Sequence, residues 1–245
     1  YLENTKNYTE RTVFYKINIE DNQIYRFCTE TSDEYRLNKN NLRIECLKQG
    51  KTFKRLFYLE GNSHTANFIP MLNAIKFDDT LYYEHKSNLL SKIDYKKINS
   101  LTNFYDEIIF TTHIDNIDEL NILKNISNNF NNKVKILILG PIPNIDNNID
   151  PLKCFIRSVN CSYKVSIDIK KRNLNEYYEL IDKILYDQNV FFFYDPYRII
   201  CPKNNCYVYN INDDILTHRD NSHLTIEGSL LMKKHFEIFY NMNYK

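Results

Sequence analysis

From residue 55 onward, short continuous apolar runs alternate with segments whose apolar residues recur at helical spacing. No other feature of the chain restricts its fold as much. Arg55 to Glu60 (RLFYLE) reads as a strand, followed by the turn Gly61-Asn62-Ser63-His64. Phe68, Ile69, Leu72 and Ile75 then fall at i, i+1, i+4 and i+7, the spacing of a helix with one buried face. Thr80 to Tyr83 and Glu107 to Thr111 (EIIFT) read as further strands, and Ile117 to Phe130 as a helix. Val134 to Leu139 (VKILIL) reads as a buried strand closed by Gly140-Pro141, and residues 144 to 165 as a loop. Leu174 to Tyr186 is helical by periodicity, and Val190 to Tyr194 (VFFFY) is a strand. Leu224 to Tyr240 closes the chain as a helix with Leu230, Leu231, Phe236 and Phe239 inward. Strands that are apolar throughout and separated by helices must be covered on both faces. The pattern therefore predicts a three-layer α/β/α sandwich around a mainly parallel sheet.

A chain of 245 residues can bury one sizeable core, which favours a single domain. Residues 1–50 are polar, tyrosine-rich and weakly periodic, and read as an N-terminal extension packed on a main domain of residues 51–245. The net charge of +1 leaves no broad basic field for a phosphate backbone, so nucleic acid is not expected as a partner. The sequence has no apolar run long enough to cross a bilayer. It begins at Tyr1 without a signal peptide, so the expectation is a part of a longer polypeptide that carries any targeting signal elsewhere.

The six cysteines fall as close pairs: Cys28 with Cys46, Cys154 with Cys161, and Cys201 with Cys206. Disulfides in that pattern would place the chain in an oxidising compartment; six reduced, buried thiols are the alternative. No Cys-x-x-Cys spacing supports zinc, and no Asp/Glu/His grouping has a metal-ligand spacing.

In open α/β sheets, ligands bind beyond the carboxyl ends of the strands. Gly61-Asn62-Ser63-His64 lies at such an end, directly before a helix. Ser63 is there either a nucleophile on a tight turn, with its backbone N–H at a helix N-terminus, or merely that helix's cap. A second segment, His218-Arg219-Asp220-Asn221-Ser222-His223, precedes the last helix and offers Asp and His three residues apart. A serine hydroxyl needs a base to remove its proton, and imidazole suits that task near neutral pH. A carboxylate can in turn hold the imidazole's tautomer and stabilise its cation. Together the two segments name Ser63 as nucleophile, His223 as base and Asp220 as the orienting acid. His64 reads as a substrate contact or a polar surface residue, and His218 as a further member of the site or, the more frequent case, an exposed loop histidine.

These two segments resemble the first and last sequence blocks of the SGNH (GDSL-like) hydrolase superfamily, in which Gly-Asp-Ser supplies the nucleophile and Asp-x-x-His the acid and base. The resemblance implies a flavodoxin-like α/β/α fold. Leu139-Gly140-Pro141-Ile142-Pro143, Cys201-Pro202 with Cys206, and Asp220-x-x-His223-Leu224-Thr225-x-x-Gly228 sharpen it. With them, residues 55–240 are similar to the extracytoplasmic SGNH domain fused behind the membrane part of acyltransferase-3 family proteins. That likeness implies an O-acyltransferase working through a seryl ester, with a polysaccharide such as O-antigen as acceptor. It further implies no bound cofactor, an acetyl group delivered from acetyl-CoA through an N-terminal membrane domain, and a periplasmic location tethered to the inner membrane.

The chain departs from the superfamily pattern in two ways. Gly-Asp-Ser reads Gly61-Asn62-Ser63, and there is no glycine between Gly61 and Gly140 to match the usual oxyanion block. The Ser63 N–H is expected to remain an oxyanion donor, with His113 or Asn116 after the 107–111 strand as candidates for another, and Asn62 and His64 as further oxyanion or substrate contacts. Two rival readings keep the same serine, histidine and aspartate: a carbohydrate esterase or deacetylase, and an inactive domain that binds a glycan.

Overall fold

The computed structural model describes residues 45–48, 54–75, 79–85, 93–145, 148–164, 167–187, 189–210 and 212–244. Its centre is a six-stranded sheet in the order β1-β3-β2-β4-β5-β7. The strands are β1 (Glu45–Lys48), β2 (Arg55–Gly61), β3 (Thr80–His85), β4 (Glu107–His113), β5 (Val134–Leu139) and β7 (Phe191–Tyr194). Five strands run parallel, and β1 pairs antiparallel with β3 at one edge. The chain winds outward from β2 in both directions, first to β3 and then to β4, β5 and β7. The carboxyl end of β2 is therefore the point at which the strand order reverses, where such sheets form a crevice.

Alternate residues of β2 enter two different cores, which is why the sheet must be covered twice. Phe57 and Leu59 pack with Met71, Leu72, Phe236 and Tyr240 on one face. Leu56 and Tyr58 pack with Ile98, Leu120, Tyr177 and Ile181 on the other. The first face carries α1 (Ser63–Ala66), α2 (Ile69–Ala74) and, at the chain's end, α8 (Ile226–Leu230) and α9 (Lys233–Tyr244). The second carries α3 (Tyr95–Leu101), α4 (Ile117–Ile126) and α6 (Ile167–Asp187). This is the three-layer α/β/α sandwich that the alternation of strands and helices predicts.

Two expectations are corrected. Residues 144–165 are not simply a loop: they contain α5 (Pro151–Arg157) and β6 (Cys161–Lys164). β6 joins β8 (Asn205–Asn210) and β9 (Ile215–Leu216) in a separate three-stranded antiparallel sheet. A seven-residue helix and a four-residue strand are too short to show a period, and the partner of β6 lies some forty residues further along the chain. This satellite has its own small core of Ile145, Cys154, Phe155, Val208, Tyr209 and Leu216. The second correction concerns the closing helix, which is broken at Leu231–Met232. The break rotates the apolar stripe, so Met232 and Phe236 are fully buried while Leu230 and Leu231 are each 38% exposed.

Disulfides join Cys154 to Cys161 and Cys201 to Cys206. The first ties α5 to β6. The second closes the turn between α7 (Tyr197–Ile200) and β8. The proposed Cys28–Cys46 pair lies outside the described residues, as does most of the 1–50 extension.

Candidate active site

The turn after β2 is built by three neighbours. Gly61 has φ +157°, and a Cβ there would lie 2.0 Å from Thr65 Oγ1, so only glycine lets the chain pass this close to the first helical turn. The Tyr83 hydroxyl is 3.4 Å from the Gly61 carbonyl and 3.3 Å from that of Asn62, and braces both as acceptors from the adjacent strand β3. Asn62 is the N-cap of α1, its Oδ1 accepting the His64 N–H at 2.9 Å. An amide oxygen thus makes the capping bond that the family's carboxylate could make, without setting a negative charge beside the nucleophile position. With Asn62 as the cap, the Ser63 hydroxyl is free to point elsewhere.

It points to His223. Ser63 Oγ lies 2.8 Å from His223 Nε2, across 160 residues of sequence. His223 Nδ1 lies 3.0 and 2.9 Å from the two carboxylate oxygens of Asp220. A carboxylate only accepts, so Nδ1 donates and Nε2 is left to accept from the serine hydroxyl. Asp220 Oδ1 also accepts the backbone N–H groups of Ser222 (2.9 Å) and His223 (2.8 Å). Burial pushes the Asp220 carboxyl upward, but these two N–H bonds and the neighbouring imidazole outweigh it and hold the group below its ordinary value. The carboxylate is 51% exposed, so its hold on the ring is that of a solvated partner.

The loop that carries Asp220 and His223 is anchored at points remote in sequence. His218, read above as exposed, is completely buried: its Nε2 lies 3.0 Å from the Pro143 carbonyl and its Nδ1 2.8 Å from Thr217 Oγ1. Burial lowers its pKa to about 4, so the ring is neutral and its Nε2–H donates to Pro143. The Leu224 N–H donates to Asn67 Oδ1 on the nucleophile side at 3.3 Å, and the Ile145 N–H to the Asn221 carbonyl at 2.9 Å. Thr225 caps α8 through the Gly228 N–H, and a Cβ at Gly228 would meet the Thr217 carbonyl at 2.0 Å. The Leu-Thr-x-x-Gly that follows His223 is thus a packing motif that fastens the loop down.

The remaining candidates are distributed unevenly. The His64 ring lies parallel to that of His223, with centroids 4.8 Å apart and planes 4° apart. His113 ends β4 near His64, with ring centroids at 5.5 Å, and donates its backbone N–H to Thr65 Oγ1 at 3.3 Å. Burial lowers the His113 pKa to about 4, and its Nε2 is enclosed without a hydrogen-bond partner among the described residues. Asn116 is occupied elsewhere: its Oδ1 caps α4 through the Glu119 N–H, and its Nδ2 donates to Asp115. Sequence reasoning missed Tyr83, Asn67 and the anchoring use of His218. For His218 no local signal existed, since Leu216, Thr217 and His218 are buried in succession with no alternation. Among the described residues, no three His, Cys, Asp or Glu side chains are grouped to hold a metal ion.

A family model of the SGNH domain fused to AT3 domains matches residues 80–237, well over half of the chain. The chain belongs to this family. The matched span contains Asp220 and His223 but begins after Ser63, whose Oγ the fold sets 2.8 Å from His223 Nε2 at the end of β2. No curated protein matches the sequence. One solved structure, titled as the basis for recognition and ring-cleavage of the Pseudomonas quinolone signal (PQS) by AqDC, is 10% identical over 82% of this chain and 70% of that chain. Its TM-score is 0.24. As an SGNH domain of the AT3-fused type, the chain is a hydrolase-like domain associated with acyl transfer. No described helix is long and apolar enough to cross a membrane.

Proposed function

We propose that this domain is an O-acyltransferase that carries an acyl group, most simply acetyl, as an ester on Ser63 and passes it to a hydroxyl of a cell-surface polysaccharide. The observation that carries the proposal is the unbroken hydrogen-bonded chain Ser63 Oγ–His223 Nε2, His223 Nδ1–Asp220, at the crevice end of the sheet. In the first half-reaction, His223 Nε2 takes the Ser63 proton as Oγ attacks the acyl carbon of an activated ester or thioester. The donor's leaving oxygen or sulfur departs with that proton. In the second, a sugar hydroxyl gives its proton to His223 and attacks the seryl ester; Ser63 Oγ leaves and takes the proton back. Asp220 holds the Nδ1–H tautomer and offsets the charge on the imidazolium in both directions. The Ser63 N–H, at the start of α1, serves as an oxyanion donor.

In this reading the acyl group reaches Ser63 from a membrane acyltransferase domain of the AT3 type, and the domain works outside the cytoplasm. The two disulfides support an oxidising location. The test is O-acetyl analysis of surface polysaccharide in cells expressing the complete protein with Ser63 intact or as Ser63→Ala. Loss of the modification in the variant is expected. An unchanged polysaccharide would overturn the proposal and leave a binding domain. A hydrolase is distinguished by acceptor dependence, because an esterase turns over fully with water alone.

A further inference from the structure

Within the site, one ring pair stands apart from the others. The His64 and His223 rings are stacked and parallel to within 4°, whereas His64 with His113 and Phe68 with His113 are tilted by 30° and 34°. A histidine that must serve Ser63 through one nitrogen and Asp220 through the other has to keep its ring in one plane. Asp220 grips only an edge of that ring, from a half-exposed loop. His64 covers a face. We infer that His64 is a positioning residue for the proton relay: its ring fixes the plane of His223 and accepts the charge of the imidazolium against its π face.

The inference rests on the Ser63–His223–Asp220 reading. It follows from three observations about how His64 is itself held. Its backbone is pinned in the first turn of α1 by Asn62 Oδ1, and the adjacent Thr65 receives the His113 N–H, so the ring hangs from α1 and leans on the end of β4. The charged and titratable groups around it are His223, His113, Asp115 and Asp220. Burial lowers the His64 pKa, and the like charge of His223 lowers it further, against the opposing pull of Asp115 and Asp220. A neutral ring results, and a neutral aromatic face attracts a cation where a second imidazolium would repel it. His113, with its ring centroid 5.5 Å from that of His64, is neutral for the same reason of burial, so it adds no second positive charge beside the relay.

The test compares His64→Ala and His64→Phe with the parent chain on p-nitrophenyl acetate, and follows the His64 ring by NMR titration in the parent and in His223→Gln. His64→Ala is expected to lower kcat about tenfold with KM within about twofold, and His64→Phe, which restores a flat neutral face, to return to within about threefold of the parent. The His64 midpoint is expected to rise in His223→Gln, since the facing charge has gone. Equal kcat in His64→Ala and parent overturns the inference, as does a His64→Phe no better than His64→Ala. A His64 midpoint indifferent to His223→Gln overturns the pairing. Esterase activity that survives in Ser63→Ala or is missing from the parent counts against the relay reading instead, and the titration then decides the His64–His223 pairing alone.

Discussion

Ser63 is positioned by its nearest neighbours in sequence, whereas Asp220 and His223 are positioned by residues far from them. On the nucleophile side, Gly61, Asn62 and Thr65 make the turn, and the end of a buried strand aims it. On the relay side, a seven-residue loop rests on Pro143 through His218, on Asn67 through Leu224, and on Ile145 through Asn221. A local turn is as rigid as its own backbone. A loop held by tertiary bonds is only as well placed as its least secure anchor. Substitutions in the first region should therefore act on chemistry or on folding outright, and those in the second should loosen geometry by degrees.

The largest effects test the two regions together. Ser63→Ala and His223→Ala are each expected to lower esterase kcat at least about 10³-fold, because the members of a relay act as a unit. Asp220→Asn should cost less, about 10²-fold, since its carboxylate is already half solvated; initial rates on p-nitrophenyl acetate measure all three. An Asp220→Asn loss equal to that of His223→Ala would mean that the relay side is as tightly built as the nucleophile side.

Gly61→Ala comes next. The added methyl would enter Thr65 at 2.0 Å on a backbone conformation that side chains avoid. A destabilisation of about 3 kcal/mol in chemical denaturation is expected, with activity lost in whatever remains folded. His218→Ala tests the opposite region. It leaves the Pro143 carbonyl without its donor and opens a cavity, for about 2–3 kcal/mol of stability. Activity should fall in the folded fraction through a lower kcat, because Asp220 and His223 lose their anchor while keeping their chemistry.

His218 also sets a pH dependence. Its pKa in the fold is depressed to about 4, below the ordinary value of 6.5, so below about pH 6.5 the unfolded chain takes up a proton that the folded chain refuses. The stability it contributes is fully present above pH 6.5 and is lost as pH falls toward about 4, by about 3 kcal/mol at the acid end. His113, lowered to about 4 by its own burial, adds a loss over the same window. Denaturation between pH 7 and pH 4.5 should show this decline, and a shallower one in His218→Gln.

The smallest effects belong to the satellite. Replacing Cys154 and Cys161 with serines should cost about 2 kcal/mol, the entropy of closing so short a loop, and should leave esterase activity close to that of the parent. A large loss of activity would show that the satellite, which abuts the relay loop through Ile145, is one of its anchors.

The same contrast decides what can be read from sequence. Val134–Leu139 and Arg55–Gly61 are legible as strands because burial on both faces leaves their centres, Ile136–Leu139 and Leu56–Leu59, continuously apolar. Gly61-x-Ser63 and Asp220-x-x-His223 are legible because the spacing is local and the chemistry demands those residue types. His218 was misread because its burial depends on Pro143, 75 residues away, and no local pattern records that contact. The helix break at Leu231–Met232 escaped for a related reason: Leu230, Leu231 and Phe236 fit one helical stripe until tertiary packing turns Met232 inward. α5 and β6 are too short to announce themselves. The parallel stacking of His64 on His223 joins the first turn of α1 to a loop that only the folded sheet brings beside it.

The central claim is that Ser63, activated by His223, carries the acyl group. It is tested most directly by peptide mapping of the chain quenched in acid after brief exposure to p-nitrophenyl acetate, beside Ser63→Ala and His223→Ala. The account predicts a single acetyl ester on Ser63 in the parent, none at that peptide in Ser63→Ala, and only a trace in His223→Ala. Acetyl groups spread over lysines and tyrosines at equal rates in all three proteins, with none on Ser63, would contradict it.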